Sequence, residues 1–179
     1  MKWADMACVV TLGGLVAVVS SVGCSRYVSN AKIAEARASL NSIGKCATSA
    51  YEYERMSGTL TVGTAATVTR SLCGSATNTV PKSAASIRGM KYTSNPAEWR
   101  EGSADVGWAC LKYEMNAPQY YMYGYRISGK GDKVGDTFTA TAQGDLDGDG
   151  KLSKFEVVGK VEASGATVVP GLSETDPSE

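Results

Sequence analysis

Residues 26–55, RYVSNAKIAEARASLNSIGKCATSAYEYER, contain no proline and place Ile33, Ala36, Leu40, Ile43, Ala47 and Ala50 at alternating steps of three and four. That period aligns one apolar stripe along a helix, with Lys32, Glu35, Arg37 and Glu52 lying off it. Upstream, residues 6–25 (MACVVTLGGLVAVVSSVGCS) carry no charge. A helical run of this length matches a bilayer core of about 30 Å. No breaker separates the two segments, so the sequence predicts one helix of roughly fifty residues, about 75 Å long, ending at Ser57-Gly58. Its first half would be lipid-soluble and its second half would lay an apolar stripe on a domain. A cleaved signal peptide is the alternative for 6–25, although Lys2 offset by Asp5 makes a poorly basic start; a buried helix of a soluble protein is the other.

Something must lie under that stripe. Residues 86–93, 107–113, 119–128, 136–143 and 154–163 read as strands, and Gly129-Lys-Gly-Asp132 as a hairpin connection. The result is a meander with one face to cover, and the helix stripe is its cover. The predicted class is therefore α+β, a long N-terminal helix packed on an antiparallel sheet. The chain divides into a helix over 1–56, a head over 57–168 that opens with an extended region rich in Thr, Ala, Gly and Ser, and a frayed tail over 169–179.

Between the last two strands stands Asp145-Leu-Asp147-Gly-Asp149-Gly150-Lys151-Leu-Ser153-Lys-Phe-Glu156. Oxygen donors occupy each position of a twelve-residue calcium loop. Asp145, Asp147 and Asp149 are at one, three and five, Gly150 makes the turn at six, and Lys151 offers its carbonyl at seven. Ser153 sits at nine and Glu156 at twelve. Clustered carboxylates repel unless a cation neutralises them, so calcium is the expected ligand; an acidic, solvated β-turn is the plainer reading. The flanks are strand-like, which favours an ion that pins a β-connection over one that opens a helix pair.

Composition narrows the function. Acidic and basic residues balance at 18 each, so no basic surface points to nucleic acid. Histidine is absent, which removes the commonest general base, the Ser-His and Cys-His pairs and the usual imidazole zinc sites; no enzyme is expected. Trp99, Trp108 and the tyrosines at 113, 120, 121, 123 and 125 suggest an aromatic sugar-binding face, with core or interface packing as the simpler account. Cys73 and Cys110 lie in the head and would close a loop of about 37 residues, a staple of roughly 3 to 4 kcal/mol that suits an exported domain. Cys46, off the helix stripe, is a rival partner for either, since connectivity is not legible in sequence. Cys8 reads as a buried apolar residue.

The whole pattern resembles the type IV pilin and pseudopilin family. In that family a mature N-terminal helix carries an acidic fifth residue, a glycine within the apolar run and a tyrosine where the amphipathic half begins. Asp5, Gly14 and Tyr27 occupy those places when Met1 is the first mature residue. Ala31-Lys-Ile-Ala-Glu-Ala36 with Leu40, and the stretch from Phe138 to Asp149, are likewise similar to family segments. The resemblance implies residence in the bacterial inner membrane before assembly, then a surface or periplasm-spanning filament. Its partners would be other pilin-like subunits and the assembly machinery. The carboxylate at position five would pair with a neighbouring subunit's N-terminal amine, since an unpaired charge in an apolar bundle is costly. Asp5 stands where glutamate is usual, and either the family's basic leader lies upstream of Met1 or the chain is an atypical relative that no prepilin peptidase processes. Ser21-Val-Gly-Cys24 is similar to a lipoprotein cleavage box, which makes an anchored periplasmic or surface binding domain the competing reading.

Overall fold

The computed structural model describes residues 3–53, 55–57 and 67–177, with side chains for 27–53 and 69–177. The chain divides into two units, Met1–Ala34 and Glu35–Glu179. A helix over Trp3–Glu52 (α1) contributes to both. It ends before the expected Ser57-Gly58, because Arg55–Ser57 (β1) pairs antiparallel with Thr67–Thr69 (β2). The side chains of the apolar run 6–25, and with them Asp5, Gly14, Cys8 and Cys24, lie outside the described residues. Among the described residues no helix is long and apolar enough to cross a membrane.

The class is α+β. The predicted stripe is buried at every position: Ile33, Ala36, Leu40, Ile43, Ala47 and Ala50. Within the second unit the small residues on this face let the sheet come close. A Cβ on Gly44 would lie 3.2 Å from Val168 Cγ2 and 3.6 Å from Val157 Cγ1, so bare helix backbone meets the strand side chains. Leu40 and Ile43, both fully buried, stabilise this contact by about 1.5–3 kcal/mol each.

The sheet comprises Met122–Ser128 (β3), Thr137–Gly144 (β4), Ser153–Glu162 (β5), Gly165–Val168 (β6) and Ser173–Thr175 (β7). Its order is β3-β4-β5-β6, with β7 pairing β5 beside β6, all antiparallel. β4 alternates without interruption, Phe138, Ala140 and Ala142 inward and the threonines at 137, 139 and 141 outward. The free edge of β3 is closed by the chain at 76–80: Ala76 N–H donates to Tyr125 O, and Val80 and Tyr123 exchange a backbone pair. Covering an edge in this way removes a template for unwanted strand pairing.

Three expectations need correcting. Residues 107–113 are not a strand; Gly107–Leu111 forms a short helix, α2, closed by Lys112 in the left-handed conformation. Trp108, Cys110 and Leu111 are all buried, a pattern that a helical turn between packed layers provides and that strand alternation forbids. Residues 86–93 are not a strand either. Ala84–Ile87 is a 3-10 turn capped by Ser83, and only isolated bridges follow at Arg88 and Tyr92. The tail expected to fray from Val169 instead supplies β7, whose Glu174 takes a forked pair from Arg37 of α1 at 2.8 and 3.0 Å.

Of the aromatic residues singled out, all but the half-buried Tyr120 are buried in the core, where they do not form an open binding face. Trp99 meets Trp108 edge-on with ring centroids 4.9 Å apart and Tyr113 at 5.2 Å, and Tyr121 meets Phe155 at 5.6 Å. Such pairs add about 0.5–1.5 kcal/mol beyond area burial. Cys73 and Cys110 are joined in a disulfide, with Cα atoms 5.7 Å apart. Cys46 is a half-buried free thiol.

Candidate metal site

The turn between β4 and β5 brings Asp145, Asp147 and Asp149 together, with one carboxylate oxygen from each lying within 4.8 Å of the others. Local chemistry explains the shape. Gly148 and Gly150 take positive φ, +84° and +96°, which suits glycine at these two points of a tight turn. Each aspartate then accepts backbone hydrogen bonds from residues just ahead of it. Asp145 Oδ1 accepts from Gly148 N (2.7 Å) and Oδ2 from Gly150 N (3.0 Å). Asp147 Oδ1 accepts from Asp149 N (3.1 Å), and Asp149 Oδ1 from Lys151 N (2.7 Å).

The three carboxylates differ in surroundings. Asp145 is buried at the loop's base, whereas Asp147 and Asp149 are exposed. The Lys151 N–H, and then its ammonium 3.1 Å from Asp149 Oδ2, hold the Asp149 carboxyl below its ordinary range. Carboxylate oxygens are hard donors, so the cluster could hold an oxygen-seeking cation in preference to a thiolate-seeking metal, without singling one out.

Two of the expected ligands go elsewhere. Ser153 is fully buried and donates its hydroxyl to Gly144 O at 2.9 Å, closing the loop's neck. Glu156 does not join the aspartate cluster among the described residues. Because β5 already begins at Ser153, its alternation sends Ser153, Phe155 and Val157 into the core and Glu156 to the outer face. There it pairs with Lys154 Nζ at 2.8 Å and lines a polar groove of about 470 Å³ with Thr79, Thr139 and Thr141. A cation held by the three aspartates would complete its shell with backbone oxygens or water.

Sequence reading missed Arg88. Its Nε donates to Gly148 O at 3.1 Å and lies 3.6 Å from Asp145 Oδ2. No local pattern marks it, since the two segments meet across some sixty residues. Glu35 is a second group with an unusual environment. Its Oε1 accepts from Tyr120 N (2.9 Å) and Tyr123 OH (3.3 Å), and burial raises its carboxyl above the ordinary value despite these bonds and nearby Lys91.

Of the three positions singled out for assembly, Tyr27 is described and is 76% exposed. Neither a family model, nor a curated protein, nor a solved structure matches this chain.

Proposed function

We propose that the protein is a pilin-like structural subunit, held in a membrane through its N-terminal helix before it packs into a filament. The observation that carries this reading is α1: one helix over Trp3–Glu52 whose C-terminal portion is built into a disulfide-closed α+β head. Tyr27 and Val28, N-terminal to that portion, leave large apolar side chains exposed for a neighbouring subunit. The apolar run 6–25 supplies the rest of such a surface, with Gly13 and Gly14 allowing close helix approach. Asp5 would meet a neighbour's amine. The aspartate loop would hold calcium and pin the β4–β5 connection, stabilising the exposed head without switching it. On this reading the activity is assembly, whether in a motility pilus, an adhesive pilus or a secretion pseudopilus.

Electron microscopy of purified surface filaments, with mass spectrometry of their subunits, tests the proposal. Filaments built from this chain are expected. A mature chain beginning at a diacylated Cys24, with no filament, would replace it with the anchored binding domain.

A further inference from the structure

The face of the sheet turned away from the core is not flat. Alternation puts Thr139, Thr141 and Gln143 of β4 on it, with Arg126 of β3 on one side and Lys154 and Glu156 of β5 on the other. Side chains on an uncovered face ordinarily stand in water, yet the three on β4 and the two on β5 are half-buried. The cause is local. The chain at 76–80 runs along the edge of β3, held there by its backbone bonds to Tyr125 and Tyr123. Gly124, opposite Thr141, adds no side chain to the floor; a Cβ there would lie 2.8 Å from Thr141 Oγ1 and 3.3 Å from Thr79 Cγ2. The result is a trough of about 470 Å³, walled by residues 76–79, floored by β3 and β4 and closed across β5 by the Lys154–Glu156 pair.

Its hydrogen-bonding groups are uncommitted. Among the described residues the side chains of Asn78, Thr139, Thr141 and Gln143 make no hydrogen bond within the protein. Hydroxyls and carboxamides both donate and accept, which is the pattern that sugar hydroxyls match. An anion would meet the Glu156 carboxylate, and Lys154 is already spent on it at 2.8 Å. An apolar ligand would find no open aromatic wall, since Tyr125 is buried. A strand-forming peptide would find no free edge, because residues 76–80 occupy that of β3. We propose that the trough is a binding site for a neutral glycan, held by hydrogen bonds to Asn78, Thr139, Thr141 and Gln143 without an aromatic stacking platform. A second depression of about 280 Å³ adjoins it, sharing Asn78 and Thr79 and adding Lys82, Asn95, Glu98 and Glu101. A ligand longer than one ring therefore has a polar surface on which to continue, which favours a chain of sugars over a monosaccharide. Binding exchanges water for sugar hydroxyls at small net gain per bond, so the affinity of one site is in the millimolar range. The site does not depend on the filament reading, although a filament would repeat it and raise its avidity.

The test follows the backbone amide signals of the full chain, in a detergent without a sugar headgroup, as tetrasaccharides of glucose, N-acetylglucosamine, galactose and mannose are each added to millimolar concentration. At least one of them should shift the signals of residues 76–79, 124–128 and 139–143. Thr139→Val combined with Thr141→Val keeps the β-branched shape and removes two hydroxyls; it should weaken that binding roughly tenfold, as the loss of two hydrogen bonds predicts. Gln143→Ala should weaken it as well, and signals unchanged elsewhere in the sheet show that each variant keeps its fold. No shift with any of the four, or shifts confined to other parts of the head, would overturn the proposal. So would variants that bind as tightly as wild type. If the double variant does not fold, Gln143→Ala decides, and equal binding by it overturns the site. A trough that responds only to a sulfated tetrasaccharide would be an anion site at Arg126, and the neutral-glycan assignment would fall.

Discussion

Gly159 on β5 faces Phe138 on β4 as its direct cross-strand partner, and replacing it with alanine tests how the sheet's inner face is packed. Its backbone is not in the left-handed region, so alanine meets no conformational penalty there. With nothing else in the way, Gly→Ala would stabilise the fold by about 0.4–1 kcal/mol, because the unfolded chain loses freedom. The structure predicts the opposite sign. A Cβ at this position would fall inside the Phe138 ring, at Cε1 and Cζ, and only 2.8 Å from the carbonyl oxygen of Thr167. Ordinary contact begins near 3.4 Å, so the backbone of β6 must retreat by about 0.6 Å, and the ring by more. Phe138 is fully buried and lies against Tyr125 with ring centroids 5.9 Å apart, so the ring has little space to yield. Overpacking of this kind costs about 1–3 kcal/mol, and two unyielding neighbours place Gly159→Ala near the upper end. Urea denaturation, followed through the fluorescence of buried Trp99 and Trp108, measures the change. The double variant with Phe138→Leu should recover part of the loss, leaving the share owed to Thr167. A Gly159→Ala protein as stable as wild type, or more so, would refute the account of the aromatic ring roofing a glycine.

Replacing Cys73 and Cys110 together with alanine should lower stability by about 4 kcal/mol in the chain-entropy model for a span of 37 residues, read from the same denaturation curves. If the loop holds calcium, adding the ion should stabilise the fold by the mass-action term, about 2.7 kcal/mol at a hundredfold excess over Kd, and so raise the melting temperature. Asp147→Ala should remove most of that gain, and a melt that stays put between chelator and millimolar calcium would leave the loop an acidic turn. Glu35 gives a pH dependence of definite sign. Its carboxyl is raised on folding, so its contribution is fully present below the ordinary value of 4.5 and is lost as pH rises through the folded value. Glu35→Gln mimics the protonated form and should gain on wild type steadily across that rise. A difference between the two proteins that does not change with pH would contradict the burial argument.

The stripe from Ile33 to Ala50 and the alternation of β4 were legible in the chain because each is a local period. A helix or strand with one buried face must repeat its apolar residues at its own pitch, whatever it packs against. The pairing of Cys73 with Cys110 was favoured among the alternatives by composition and compartment, but only the folded geometry set their Cα atoms 5.7 Å apart. The short apolar run at 107–111 carried no such information, since a few buried residues fit a helical turn or a core strand equally. Position in the loop motif placed Glu156 with the aspartates. The register of β5 overruled it, because Phe155 has to enter the core and its neighbour must then point away. β7 and the Arg88 contact were invisible for a different reason. Glu174 meets Arg37 across 137 residues, and Arg88 meets Gly148 across 60. Periods and caps act over a few residues and so were written in the sequence; partners that distant in the chain are chosen only when the sheet and helix have packed.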